Sequence, residues 1–217
     1  MNKVKTLEEI RPLFKDGMTL MIGGFLGNGA PGRIIDFLVD LNIKDLTIIG
    51  NDTCFANQGV GKLLANGQIK KIIASYIGGN AMTGEFMNEG RLEVELVPQG
   101  SLAEKIRAGG AGLGGVLTPT GVGTIVEDGK QKVTVDGKTY LLEPPLKADL
   151  ALLRGNVVDT FGNTVFRGTT KNFNMAMAFA GEKVIVEAEK LVDVGAIDPD
   201  IIHTPGVLVD YIVREDE

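Results

Sequence analysis

The sequence predicts an α/β fold, an open and largely parallel sheet flanked by helices with a small β-hairpin excursion, and three observations lead there. Segments of strand length recur at 18–22, 46–49, 71–76, 92–97, 148–153 and 184–186, and those at 18–22, 46–49, 148–153 and 184–186 have the character of buried strands. Helical patterns fall between several of them, and repeated strand-helix alternation builds a parallel sheet covered on both sides. No internal repeat or break in composition divides the 217 residues, a length suited to a single domain over 1–217.

Taken in order, Thr6-Leu7-Glu8-Glu9 is a capping box and predicts a short helix to about Phe14. Met18 to Ile22 reads as a buried strand, followed at once by a loop with four glycines in the seven positions 23–29. Pro31 opens a helix with Ile34, Ile35, Leu38 and Leu41 on one face and Asp36 and Asp40 left for solvent. A strand at Leu46 to Ile49 ends at Gly50-Asn51-Asp52. A helix over Val60 to Ala65 precedes a strand at Lys71 to Tyr76, a polar, glycine-spaced segment from Gly78 to Gly90, and a strand at Leu92 to Val97. Pro98-Gln99-Gly100 ends that strand, and Ser101 with Glu104 forms a second capping box, opening a helix that closes at Gly109-Gly110.

Gly109 to Gly123 is too glycine-rich for a helix or a central strand and reads as a long shaped loop. Lys132 to Val135 and Lys138 to Leu142 flank Asp136-Gly137, a hairpin with a type I′ turn. Buried strands follow at Ala148 to Leu153 and Val184 to Val186, separated by a packed helix over Asn172 to Ala180, and Gly206 to Val213 is the last strand. Phe173, Met175, Met177 and Phe179 read as core packing.

Composition narrows the function classes. Hydrophobic residues at 44% and charged residues at 23% are ordinary for a soluble globular protein, and no apolar run reaches membrane-spanning length. MNKVKTLEEI lacks an apolar signal core, so the expectation is cytoplasmic. A net charge of −6 argues against a nucleic-acid surface. One cysteine, Cys54, and one histidine, His203, rule out an internal disulfide and argue against a Cys/His metal site; a buried thiol and a surface imidazole are their commoner fates.

The chemistry points to strand ends. Gly23 to Gly29, Asn51-Asp52 and Gln99-Gly100 each follow the carboxyl end of a strand, where open α/β sheets bind ligands. Glycines let backbone N–H groups approach a ligand, and the helix start behind them favours negative charge, so 23–29 reads either as an anion or cofactor cradle or as a crowded strand-to-helix turn. A dinucleotide-binding oxidoreductase is one alternative. Gly27-Asn28-Gly29-Ala30-Pro31-Gly32 satisfies G-x-G-x-x-G, and Asp52 lies 20 residues past Gly32. Against it, Gly23-Gly24-Phe25-Leu26 stand between strand and fingerprint.

The order Asp16-Gly17, Leu20-Met21-Ile22, Gly23-Gly24-Phe25, Gly29 and Pro31 resembles the first signature of the family I CoA-transferases. The likeness, to alpha subunits of the acetate or butyrate to acetoacetate type, runs over nearly the whole chain. It implies transfer of CoA between acetoacetyl-CoA, or another short acyl-CoA, and acetate or butyrate. The nucleophile in that family is a glutamate, which passes through an anhydride and a glutamyl-CoA thioester; CoA thioester is substrate, and no cofactor is bound permanently. That glutamate lies in a Ser-Glu-Asn-Gly motif of the beta half, which this sequence lacks, and Glu89-Gly90 in NEGRLE is no substitute.

By the resemblance, this chain pairs with a beta subunit as α2β2 and meets CoA through Gly23, Gly24, Phe25, Leu26, Gly27, Asn28 and Gly29. Gln99 matches the position of a glutamine that stabilises the oxyanion, and Asn51 a position lining the acyl site, although Asp52 replaces a second asparagine there. The Gly109 to Gly115 and Thr118 to Gly121 stretch also resembles its counterpart and reads as a loop that closes over the acyl group, as one that meets the partner, or as a rigid packing loop. A non-catalytic CoA-binding or acyl-binding module remains a further alternative, kept open by the missing nucleophile.

Overall fold

The computed structural model describes residues 2–215. In chain order the first elements are α1 (Leu7–Ile10), β1 (Thr19–Ile22), α2 (Gly32–Leu41), β2 (Leu46–Ile49), α3 (Val60–Ala65), β3 (Ile69–Ala74), α4 (Ala81–Asn88), β4 (Glu93–Leu96) and α5 (Gln99–Ala111). Then come β5 (Val116–Thr118), β6 (Lys132–Val135), β7 (Lys138–Glu143), β8 (Ala148–Gly155), β9 (Val157–Asp159), β10 (Thr164–Val165), α6 (Asn174–Met177), β11 (Gly181–Ala188), β12 (Leu191–Val192) and β13 (Tyr211–Arg214).

Seven of the strands make one parallel sheet in the order β13-β11-β8-β1-β2-β3-β4. The chain builds outward from β1 to β4, returns to the other side of β1 with β8, and continues to β13. Strand order therefore reverses between β1 and β8, and in such sheets the ligand crevice opens at the carboxyl ends beside the reversal. The glycine loop leaves β1 at that point.

Alternation along β1 explains its unbroken apolar run. Leu20 and Ile22 pack with Ile34, Ile35 and Leu38 of α2 and Leu63 of α3, while Met21 faces Leu102 and Ile106 of α5 and Met177 of α6. Each such side chain, fully buried, contributes about 1.5–3 kcal/mol. Among the described residues no helix is long and apolar enough to cross a membrane.

The Thr6/Glu9 capping box forms as expected. So does the hairpin: Val135 faces Lys138 across a two-residue turn with Asp136 at φ 48° and Gly137 at φ 74°, the type I′ signature. β5 extends it to a three-stranded sheet, β5-β7-β6. A buried pair, Lys105 of α5 and Glu143 of β7 at 3.5 Å, ties this excursion to the main body, with Lys130 2.6 Å from the same carboxylate.

Several elements differ from expectation. The second capping box is not made: α5 begins three residues early, with Pro98 rather than Ser101 in the cap position, and the buried Ser101 hydroxyl has no hydrogen-bond partner among the described residues. α5 also runs through Gly109-Gly110 and stops at Gly112, which takes the left-handed conformation at φ 70°. Those two glycines admit neighbours: a Cβ on Gly109 would lie 1.8 Å from the Leu146 carbonyl, and one on Gly110 would lie 2.5 Å from Phe179. The segment Gly78 to Gly90 contains α4. The helix expected over Asn172 to Ala180 shrinks to the four residues of α6, and the first half of the expected last strand is a 3-10 turn at Gly206–Leu208.

Candidate active site

Three loops meet at the carboxyl edge of β1, β2, β3 and β4. The first, residues 23–31, is built as a tight closed turn. Phe25 and Asn28 exchange backbone hydrogen bonds at 3.0 and 2.9 Å around Leu26 at φ 46° and Gly27 at φ 83°. A leucine in the left-handed region is strained, and the surrounding bonds hold it there.

Most of the loop's amides are already engaged. Gly23 N–H donates to the Leu152 carbonyl at 3.0 Å, Gly24 N–H to Asn172 Oδ1 at 3.2 Å and Leu26 N–H to Asp52 Oδ2 at 2.9 Å. Among the described residues only the N–H groups of Gly27 and Gly29 in 23–29 make no such bond. The inner side of the loop, lined by Gly23, Gly24 and Gly27, encloses about 10 Å³. Nothing larger than a water fits there.

The loop is pinned from beneath by two asparagines of the 172–174 segment. The fully buried Asn174 donates Nδ2 to the carbonyls of Gly29 at 2.9 Å and Thr170 at 3.0 Å, and its Oδ1 accepts Arg154 N–H at 3.2 Å. A Cβ on Gly23 would stand 1.9 Å from Asn174 Oδ1, and one on Gly29 2.8 Å from Thr170 Cα. The glycines at 23 and 29 thus serve the close approach of the 168–174 segment, the crowded-turn reading of the motif.

The anion site expected at the start of α2 is filled from within. Glu187 of β11, 1% exposed, accepts Ile34 N–H at 3.0 Å in the first turn of that helix. Burial pushes its carboxyl up to about 7 against the pull of the Ile34 and Arg33 amides, and Glu215 adds a smaller push in the same direction. The helix start thus holds the protein's own acid. Sequence alone gave no sign of it, since Glu187 lies 153 positions from Ile34.

Asn51 and Asp52 follow β2. Asp52, 7% exposed, receives Leu26 N–H on one oxygen and Cys54 N–H at 2.7 Å on the other, so it organises two turns. That arrangement does not fit the ribose-binding acid of a dinucleotide fold, whose carboxylate must be open to hydroxyls. Cys54 lies under the loop, its Sγ 3.1 Å from where a Gly27 Cβ would be, and burial raises its thiol pKa. His203 accepts Phe166 N–H through Nδ1 at 3.1 Å. Neither is a candidate nucleophile.

Asn51, 5% exposed, presents its carboxamide with no hydrogen bond to another described residue, while its carbonyl accepts Ser75 N–H at 3.0 Å. Gln99, the first residue of α5, is exposed, and its Oε1 meets the Ser75 hydroxyl. Asn51, Ser75 and Gln99 therefore stand in a row at the ends of β2, β3 and β4. Ser75 carried no mark in the sequence reading.

Two clefts flank this row. One of about 450 Å³ is lined by Phe25, Asn51, Gln99, Arg107, Asn172 and Ala176, among others; one of about 440 Å³ by Phe25, Leu26, Asn51, Ser75, Tyr76 and Gln99. Phe25, Asn51 and Gln99 line both. Asp52, whose two oxygens are engaged, is the acid in the second lining, and the first contains no acid among the described residues. A further cleft of about 620 Å³ continues past Arg107 to Met175 and Phe179; the latter is 53% exposed, outside the core expected for it.

A sequence model of the family described as "Coenzyme A transferase" matches residues 4–215. The chain belongs to the coenzyme A transferase family. This CoA-transferase chain is 59% identical over 214 residues to the acetoacetyl-CoA:acetate/butyrate CoA transferase alpha subunit of Clostridium acetobutylicum, covering 99% of this chain and 98% of that one. It is 51% identical over 215 residues to the acetate CoA-transferase subunit alpha of Escherichia coli K12, again over 99% and 98%. Among solved structures, an acyl-CoA transferase of E. coli O157:H7 in a thioester complex with CoA superposes with a TM-score of 0.84 at 22% identity. The match covers 99% of this chain and 47% of that one, so this CoA-transferase chain spans about half the length of that protein.

Proposed function

We propose that this chain is the alpha subunit of a heteromeric short-chain CoA-transferase that moves CoA between acetoacetyl-CoA, or another short acyl-CoA, and acetate or butyrate. Its partner is a beta subunit, in an α2β2 assembly residing in the cytoplasm, and the nucleophilic glutamate belongs to that partner. The observation that carries the reading is the 59% identity to the C. acetobutylicum alpha subunit over essentially the whole of both chains. The site geometry agrees with it, since the clefts hold amide donors and no available carboxylate.

In the reaction, the partner's carboxylate attacks the thioester carbonyl. The tetrahedral oxyanion collapses to an acyl-glutamyl anhydride and releases CoA thiolate. The thiolate attacks the glutamyl carbonyl, expels the first carboxylate and leaves a glutamyl-CoA thioester, from which the same steps run backwards with the acceptor carboxylate. Each addition puts negative charge on one oxygen. The Gln99 carboxamide, at the first turn of α5 with its positive end of the helix dipole, supplies a fixed donor there, and Asn51 lines the acyl side. Phe25 and Leu26 give the cleft its wall, and Gly27, half-buried and without a hydrogen bond from its N–H to another described residue, offers its amide to CoA; Gly23, Gly24, Asn28 and the buried Gly29 shape that surface through the bonds and close packing they make.

Intact-mass measurement tests this after incubation of the assembled enzyme with acetoacetyl-CoA. The mass of CoA is expected on the partner, with this chain unmodified. A CoA adduct on this chain contradicts the split site.

A further inference from the structure

We propose that Ser75 is a positioning residue for the reaction: its hydroxyl donates to Gln99 Oε1 and thereby fixes the carboxamide with Nε2 toward the cleft. The inference rests on the oxyanion role given to Gln99 above and adds the group that makes the role possible. A glutamine amide has a donor end and an acceptor end of nearly equal size, and only one of them stabilises an oxyanion. At an exposed position such as 99, something must choose between them.

Ser75 can choose. Its Oγ lies 2.8 Å from the Asn51 carbonyl and also contacts Gln99 Oε1, but it has one proton to give. The Asn51 carbonyl is already satisfied by Ser75's own N–H at 3.0 Å. Giving the hydroxyl proton to Gln99 Oε1 therefore leaves no buried acceptor unpaired. The opposite arrangement, with the hydroxyl bonded to Asn51 and receiving Gln99 Nε2, turns Oε1 into the cleft and sets acceptor against oxyanion.

Backbone pairing holds the parts in place. The parallel bridge between Asp52 and Tyr76 and the bond from Ser75 N–H to Asn51 lock the end of β3 to the end of β2. Val97 N–H to the Ala74 carbonyl at 3.0 Å does the same for β4, two residues before Gln99. Ser75 thus sits on rigid strand ends between Asn51 and Gln99.

The test is steady-state kinetics of the enzyme assembled with its beta subunit, with Ser75→Ala, Ser75→Thr, Gln99→Ala and Ser75→Ala/Gln99→Ala. Ser75→Ala is expected to lower kcat about three- to tenfold, the effect of losing one net hydrogen bond, with the KM for acetoacetyl-CoA unchanged. Ser75→Thr, which keeps the hydroxyl, restores the rate. The double variant is no slower than Gln99→Ala, because the serine acts only through the glutamine. Wild-type kcat in Ser75→Ala, or a double variant slower by the product of the single effects, overturns the proposal while leaving Gln99 in place if Gln99→Ala is itself slow. Full activity in Gln99→Ala overturns both. A Ser75→Ala chain that fails to assemble shifts the decision to Ser75→Thr against Ser75→Val, of near-equal shape: equal rates in that pair refute the hydroxyl's role.

Discussion

Replacing Asn174 by alanine is expected to loosen the whole floor of the site. The side chain makes three hydrogen bonds in a fully buried position: to the carbonyls of Gly29 and Thr170, and from Arg154 N–H. Truncation leaves two carbonyls and one N–H without that partner. A buried polar group left unsatisfied costs about 1–3 kcal/mol, so the three together cost about 3–9 kcal/mol, a large share of the stability of an ordinary domain. The assay is urea unfolding followed by far-UV circular dichroism, with an unchanged m-value and a lower midpoint. The geometry also makes a signed prediction for a second site. Gly23→Ala places a Cβ 1.9 Å from Asn174 Oδ1 and displaces that side chain, so it is strongly destabilising in the wild type. With Asn174→Ala already present, the obstruction is gone and the added cost of Gly23→Ala falls below about 1 kcal/mol. Additive effects of the two substitutions, or a midpoint for Asn174→Ala within experimental error of wild type, refute the clamp.

Gln99→Ala in the assembled enzyme should lower kcat by about one to three orders of magnitude, as loss of one oxyanion donor does, and an unchanged kcat removes Gln99 from the mechanism. Glu187 predicts a pH dependence of stability. Burial raises its carboxyl from an ordinary 4.5 to about 7, so between those values the folded state keeps a proton that the unfolded state has released. Stability therefore falls as pH rises through that window, by about 3 kcal/mol at full amplitude; Glu187→Gln should flatten the slope between pH 5 and 8, and an unaltered slope assigns it to another group. Glu143→Ala leaves Lys105 buried with only Glu95, at 3.4 Å, to meet its charge. A loss of about 3 kcal/mol in urea unfolding is expected, and no loss shows that the pair does not hold the excursion to α5.

The fold was legible where one physical signal dominated. β1 and β2 stand out because both faces are buried, and the Asp136-Gly137 turn because few residue pairs tolerate two positive φ angles in succession. α4 was hidden because Met82 and Phe86 are its only large apolar residues packed on the core, with Gly84 between them. The strands β9, β10 and β12 run two or three residues each, too short for any period to show. The site divides in the same way. Asn51 and Gln99 were legible as candidates because they follow strand ends and resemble a family pattern. Asn174, Glu187 and Ser75 were not, since a buried asparagine or acid is recognised by partners 145 or 153 positions away, and a serine after a strand looks like any turn residue. The glycine loop left both readings open because its composition is the same whether a phosphate or the protein's own 168–174 segment approaches it.

The measurement that bears most directly on the central claim is the transfer assay with acetoacetyl-CoA and acetate, run on the purified chain alone and then on the chain assembled with its candidate beta subunit. The account predicts consumption of acetoacetyl-CoA with formation of acetyl-CoA only in the assembled enzyme. Transfer catalysed by this chain by itself, or none in the assembled enzyme, contradicts it.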